Sequence, residues 1–429
     1  MSFHKKYDVN YNKYIQNDEE KEDVEAMSVN VDNTCLKGLK VLDVTRFLAG
    51  PTTTQILSDM GAEVWKVERC KTGDEGRTFS PFKNGESGWY HAFNRNKKSI
   101  TLNYTKPEGR ELFYELVKQC DVLVENNAPG VMEKYGIDYE SVKKYNPSIV
   151  YASISGYGQK DSPYVHYPAL DGVAQAFGGV IANNGYSGQP GVKVGPGIID
   201  EVSGYMCAVA VLGAIYEREK SGEGQHIDVC MMDAALNLTE NAVTYYSFTG
   251  ENMPRLGNGH ASIGMTGCFD TLEGPSTFYM NTPSDKFAML ILDAIGHPEL
   301  KDDPRCATNM TRHDNTEWLE GLINEYTSKK PLKEVIDEFQ AMGIPCMPVN
   351  SIEDCLNNPH YQQRKEVVWL DHPKIGKYAV TMTPFKMSRT PFREPTPAED
   401  IGESNEAVYH DILGRSEEEL QKLRDKGII

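Results

Sequence analysis

Metal-binding spacings are missing from this chain. Its ten histidines include no His-x-His or His-Glu-x-x-His pair, and its nine cysteines are never spaced Cys-x-x-Cys. No metal is therefore assigned. The cysteines, at 35, 70, 120, 207, 230, 268, 306, 346 and 355, are odd in number and scattered, which points to reduced thiols rather than a disulfide framework. A Gly-x-x-x-x-Gly-Lys-Ser/Thr phosphate loop is absent, as is a Gly-x-Ser-x-Gly turn. Gly257-Asn258-Gly259-His260 is only a fragment of a dinucleotide fingerprint. Nucleotide hydrolysis, serine hydrolysis and dinucleotide binding all lose their usual support. No run approaches eighteen uncharged apolar residues and no apolar signal segment opens the chain, so the expectation is a cytoplasmic protein with no membrane partner. Positive charge is in deficit: 44 Lys and Arg against 62 Asp and Glu give −18. Such a balance repels phosphate backbones, and nucleic acid is not an expected partner.

What the chain does hold is apolar surface and a regular rhythm. Hydrophobic residues make up 39%, with 23 Tyr, 14 Phe and 4 Trp, enough for a sizeable core, and 429 residues suit two or three domains. Residues 1–35 carry the run Asp18-Glu19-Glu20-Lys21-Glu22-Asp23 and read as an acidic N-terminal extension. From Leu36 onward strands alternate with helices: strands over 39–44, 63–68, 121–124, 148–153 and 225–231, helices over 52–60, 108–120 and 204–216. That alternation predicts an α/β fold with a mostly parallel sheet covered on both faces, and ligands at the carboxyl ends of the strands. The rhythm weakens near residue 245, where a boundary is expected. A second α/β segment follows, with helices over 317–326 and 332–342 and a strand-like stretch 344–349. The Pro-rich stretch 390–397 reads as a linker, and 417–426 as a charged terminal helix.

Three turns should gather at one edge of the sheet: Thr45-Arg46-Phe47-Leu48-Ala49-Gly50-Pro51, Glu68-Arg69, and Glu125-Asn126-Asn127-Ala128-Pro129-Gly130. There a helix N-terminus with Arg46, Arg69, Lys97, Lys98 and Lys134 could neutralise a polyphosphate ligand. The plainer alternative is that these are solvated basic side chains at ordinary loop ends.

Several ordered blocks now resemble one family: residues 39–51, 61–69 with Gly73-Asp74, 94–99, Pro107-Glu108-Gly109, Glu125-Asn126, Ser155-Gly156-Tyr157-Gly158-Gln159, 224–234 and Gly343-Ile344-Pro345-Cys346. They are similar to the family III coenzyme A transferases, from about residue 36 to the end. The resemblance implies a Rossmann-like large domain built from both ends of the chain (36–245 and 366–429), a smaller α/β domain (246–365), and an interlocked-ring homodimer. It implies acyl-CoA and a small carboxylic acid as substrates, with no permanently bound cofactor. The family's nucleophilic aspartate falls on Asp200, with Gly204 four residues on, and a second acidic position falls on Asp171. Leu48, Ala49, Arg69, Leu102, Thr105, Asn126, Asn127, Ala128, Lys134, Pro168, Ala169, Leu170 and Asp171 occupy coenzyme A-contacting positions, Arg69 and Lys134 being the phosphate partners.

On that reading Gly204 heads the helix 204–216 and leaves N–H groups near Asp200 to stabilise developing charge; the alternative role for Asp200 is a helix N-cap. Loop 255–264, with Gly259, would cover the site and its His260 would orient an acceptor carboxylate; the alternatives are an ordinary interdomain linker and a solvent-exposed histidine. Racemases of the superfamily place a histidine thirty residues before the aspartate; here that position is Leu170, and His166 lies four residues earlier. Formyl-CoA transferases carry a glutamine where this chain has Leu48, so oxalate is a doubtful acceptor. An α-methylacyl-CoA epimerase and a non-catalytic coenzyme A-binding regulator are the rival functions. The content of Tyr, Phe and Met suits aromatic, branched and steroid-like acids equally.

Overall fold

Six parallel strands form the main sheet of the computed structural model, which describes residues 33–429. The acidic run 18–23 lies outside the described residues. The strands are β1 (Lys40–Val44), β2 (Glu63–Glu68), β3 (Lys98–Thr101), β4 (Val122–Glu125), β5 (Val150–Ser155) and β6 (His226–Cys230), in spatial order β3-β2-β1-β4-β5-β6. Leu42 pairs across to Trp65, and Val41 to Val122. The strands are apolar on both faces because both are covered. Leu42, Trp65, Leu123 and Tyr151 pack one way, against helix α2 (Pro107–Gln119). Val41, Val64, Val124 and Ala152 pack the other way, against α1 (Ala49–Asp59) and α5 (Ile198–Ser221). Between α2 and α5 in the chain come α3 (Val131–Tyr135) and α4 (Asp171–Phe177).

Strand β3 is absent from the sequence reading, in which Lys97 and Lys98 stand as loop cations. Its four residues follow a turn and carry only one large apolar side chain, Ile100. The parallel pairing of Trp65 with Lys98 and Glu68 with Thr101 makes it a strand.

The chain's last segment packs on this sheet. Tyr409 Oη donates to the Thr101 carbonyl (2.9 Å), the Asn103 N–H donates to the Ile428 carbonyl (2.7 Å), and Val408, Leu420 and Ile429 join the α2-side core. Residues 265–346 build a separate core around Phe269, Phe278 and Phe339. It comprises antiparallel strands β7 (Gly267–Thr271), β8 (Gly274–Met280) and β9 (Cys346–Pro348) with helices of which Thr316–Thr327 and Leu332–Ala341 are the longest in that segment's second half.

Helix α5 differs from the sequence reading. It begins at Ile198 with Gly197 as its N-cap residue, so Gly204 lies inside it and Asp200 is its third residue. Ile199 and Ser203 are buried and pull the preceding turn into the helix. Gly204 is needed for a different reason: a Cβ there would meet the Ala49 carbonyl oxygen at 2.7 Å and Thr52 Cβ at 2.8 Å. The glycine lets α1 and α5 touch backbone to backbone, and Thr53 Oγ1 donates to the Gly204 carbonyl at 3.0 Å. By length and composition α5 is also apolar enough to cross a membrane; here it packs against the sheet and α1.

Candidate active site

The strand order reverses between β1 and β4, and in an open parallel sheet that divergence opens a crevice beyond the carboxyl ends. The loops after these two strands are tied together across it. The Arg46 N–H donates to Asn126 Oδ1 (2.8 Å), Asn126 Nδ2 returns a bond to the Arg46 carbonyl (2.7 Å), and Arg46 Nη2 reaches Asn127 Oδ1 (3.1 Å). Phe47 takes a left-handed backbone conformation (φ 66°), strained for a residue with a Cβ. It is held there by Trp89 Nε1 donating to its carbonyl (3.3 Å) and by ring stacking on Phe79. The kink turns Leu48 and Ala49 into the crevice at the start of α1.

Two cavities occupy this edge and meet at Asn127. The first, about 480 Å³, is lined by residues that include Arg46, Arg69, Leu102, Tyr104 and Thr105. The second, about 360 Å³, is lined by Leu48, Ala49, Asn126, Ala128, Pro168, Ala169, Leu170 and Asp200 among others. Twelve sequence positions singled out for coenzyme A or catalysis are thus brought to one continuous edge. Lys134 lines neither cavity; it lies on α3, exposed, with Nζ 5.3 Å from the ring centre of Tyr135, which lines the first. Arg46 and Arg69 share one counterion, Glu75, at 2.9 and 2.6 Å.

The expected basic cluster is smaller than the sequence suggests. Lys97 is buried and turned inward, bonded to Asp43 (3.2 Å), the Pro51 carbonyl (3.0 Å) and Asn94 (2.9 Å). Burial lowers its ammonium to about 8, against the pull of Asp43. Lys98 is paired with Glu63 at 2.7 Å. Neither faces the cavities, because β3 runs where a loop was expected.

Asp200 stands in the first turn of α5. No hydrogen bond or ion pair is made by its side chain among the described residues, and it lines the second cavity. A methyl group built on Gly197 would lie 2.6 Å from Leu48 Cδ2 and 3.7 Å from Asp200 Oδ2, so the carboxylate and the kinked loop after β1 face one small gap. Burial, then the charges of Asp171 and Glu201, raise its carboxyl to about 7. It is not the N-cap; that place is Gly197's.

Asp171 has a different part. It lines neither cavity; its Oδ1 accepts the Ile199 N–H (2.9 Å), one of the first-turn donors that a helix cannot satisfy itself, and its Oδ2 accepts Gln175 Nε2 (2.7 Å). A residue of α4 thereby caps α5 and fixes the turn that presents Asp200.

Gly259 and His260 line neither cavity. Arg255 anchors their loop elsewhere, donating to the carbonyls of Ala182 (3.0 Å) and Gln189 (2.5 Å), while His260 Nδ1 accepts the Ser262 N–H (3.2 Å). Conversely Tyr167 lines the Asp200 cavity although no motif contains it; Ser155 and Met231, which stand in the resembling blocks without a site role, line it as well, as does His166. Ser155 had a legible signal, as the last residue of a strand in a parallel sheet. Glu125, also at a strand end, is buried; its Oε2 accepts the Asn127 N–H at 2.7 Å and so sets the residue where the cavities meet.

A family model described as CoA-transferase family III matches residues 36–405. The chain is 31% identical to succinyl-CoA--D-citramalate CoA-transferase of Chloroflexus aurantiacus, over 92% of this chain and 98% of that one. It is 34% identical to formyl-CoA:oxalate CoA-transferase of Streptomyces coelicolor, over 92% and 99%. A crystal structure of a CAIB/BAIF family protein from Brucella suis superposes with a TM-score of 0.79 at 32% identity, covering 88% of this chain and 99% of that one.

Proposed function

The chain belongs to CoA-transferase family III, and from that premise we propose that it moves coenzyme A from an acyl-CoA donor to a free carboxylic acid with Asp200 as the covalent nucleophile. The observation that carries the nucleophile is an unpartnered carboxylate, at a helix N-terminus, on the wall of a cavity that adjoins a second one at the sheet edge.

The Asp200 carboxylate attacks the thioester carbonyl, the C–S bond breaks, and a mixed anhydride and coenzyme A thiolate result. The thiolate attacks the aspartyl carbonyl of that anhydride and releases the donor acid, leaving an aspartyl-CoA thioester. The acceptor carboxylate then attacks the thioester carbonyl and expels the thiolate, which takes the acyl group of the new anhydride and frees Asp200. Each step exchanges one acyl bond for another, and no proton or electron is consumed. A carboxyl near 7 is a better nucleophile than an ordinary one once ionised; it is about half ionised at pH 7 and more fully above it. Asp171, by holding the Ile199 N–H, acts as a positioning residue.

The coenzyme A nucleotide would lie in the larger cavity with Arg69 and Lys134 on its phosphates, and the pantetheine arm would pass Asn127 and Leu102 toward Asp200. Loop 255–264, carrying Gly259 and His260, would approach an active site from a partner copy. Such a copy is favoured by apolar side chains left bare on α5 and the later helix Glu240–Thr249: Val209 is 70%, Tyr216 67% and Phe248 87% exposed. We place the enzyme in the cytoplasm as an interlocked homodimer; light scattering should give twice the chain mass.

Trapping during turnover tests the chemistry. Hydroxylamine should modify Asp200, detected by peptide mass spectrometry, and Asp200→Ala should lose exchange of labelled coenzyme A by about 10³-fold or more. Wild-type exchange in that variant would refute the nucleophile. His166 on the rim of the same cavity favours the epimerase as second reading; solvent deuterium entering the α-carbon of a 2-methylacyl-CoA would establish it.

A further inference from the structure

The wall around Asp200 carries no lysine or arginine among the described residues. Four cations of the neighbouring loops are already engaged. Arg46 and Arg69 are held by Glu75, and Lys97 by Asp43. Lys193 lies 3.9 Å from Asp171 and donates to the carbonyls of Val194 (2.7 Å) and Gly195 (3.0 Å). Two further carboxylates, Asp171 and Glu201, act on Asp200 itself. A dicarboxylic acid would bring a second negative charge toward carboxylates of the same sign, with no lysine or arginine on the described wall to pair it. The acids in the names of the two relatives above, oxalate and citramalate, are of that kind.

The rim offers the opposite chemistry. Tyr167 lines the cavity and is 61% exposed; its ring lies 5.5 Å from Tyr164 and 6.3 Å from Tyr157. Phe177, 55% exposed, closes the group at 5.5 Å from Tyr157 and 5.7 Å from Tyr164. All four of these contacts are edge-on or tilted, which is how aromatic rings build a continuous apolar surface. Leu170 and Met231 extend that surface toward Asp200.

We propose that the acid exchanged at Asp200 is a monocarboxylic acid with an aryl or similarly bulky apolar tail, received by Tyr157, Tyr164, Tyr167 and Phe177. The proposal rests on the CoA-transfer function above. Its carboxylate meets Asp200 while the ring covers the exposed aromatics, so charge and apolar area are placed where each costs least.

A competition assay tests this with the purified full-length enzyme. Acetyl-, succinyl- and phenylacetyl-CoA serve as donors, and 3-phenylpropanoate, phenylacetate, succinate, glutarate and oxalate as acceptors, with product thioesters read by mass spectrometry. The kcat/KM for 3-phenylpropanoate should exceed that for succinate by about 10-fold or more. Phe177→Leu and Tyr167→Leu, both at exposed positions, should lower that ratio about 10-fold. Exchange that favours the dicarboxylic acids, or a ratio unmoved in both variants, overturns the inference and leaves CoA transfer standing. Absence of exchange with every donor and acid overturns both.

Discussion

Two clusters of charge flank the start of α1, and they are built on opposite rules. Beneath it, Asp43 is fully buried between Lys97 (3.2 Å) and the hydroxyls of Thr45 and Thr54 (2.5 and 2.6 Å), with Lys66 bonded to Asp74 (2.8 Å) and to the Thr45 carbonyl (3.0 Å). Burial alone would raise Asp43, but Lys66, Lys97 and the hydroxyls outweigh it and hold the carboxyl at about 2. Across the crevice Asp200 has no partner and two like charges for neighbours, and it rises to about 7. Asp43 is removed from water and Asp200 is half-buried on a cavity wall. The first is compensated and fixes the loop after β1; the second is left uncompensated and available for chemistry.

The largest expected effect comes from breaking the compensated side. Lys97→Met leaves Asp43 short of a partner in the interior and should cost about 3–5 kcal/mol in urea unfolding at pH 7. The uncompensated side should respond with the opposite sign. Because the Asp200 carboxyl is raised in the fold, the native protein keeps a proton there that the unfolded chain has lost, and stability falls as pH climbs from about 4 to about 7. Asp200→Asn removes that penalty: it should be nearly neutral at pH 4 and stabilising by about 3 kcal/mol at pH 8, measured as the difference in unfolding free energy. A variant less stable than wild type at pH 8 would break the comparison.

Gly204→Ala tests the contact that holds the two clusters side by side. The new methyl must push the Ala49 carbonyl and Thr52 away, which should cost about 1–3 kcal/mol and lower kcat by displacing α5. Smallest is Glu201→Gln. It removes one of the charges that raise Asp200, so the acid limb of the pH–rate profile should move downward, with stability changed by less than about 1 kcal/mol. A limb that stayed in place would mean that burial and Asp171 account for Asp200 without it.

Much of the sheet was legible because parallel strands buried on both faces leave uninterrupted apolar runs such as Val41-Leu42 and Val122-Leu123-Val124. Strand β3 was not, since Lys98-Ser99-Ile100-Thr101 has neither such a run nor a clear alternation and gains its pairing only from β2. The start of α5 was misplaced because Gly204 reads as a helix boundary in one dimension and proves to be a contact point in three. Lys97 looked like a ligand-facing cation because its partner, Asp43, is 54 residues away. Leu48, Ala49, Asn126 and Asn127 lie on turns that the strand pattern places at the sheet edge, and they do line the cavities there; their contact with coenzyme A is what the resemblance implies. Tyr167 and Met231 reach the Asp200 cavity from separate segments and left no common signal.

Most of the alternation of strands and helices, and the edge at which the loops after the strands gather, were written in the sequence, since hydrophobic period and turn chemistry are local properties of a chain; the part given to Asp200 came from the family resemblance. Which carboxylate is neutralised and which is not was decided only by the tertiary structure. A carboxylate's proton affinity depends on the water it has lost and on charges within a few ångströms, and the fold brings Lys66 and Lys97 to Asp43, and Asp171 to Asp200, from other segments of the chain.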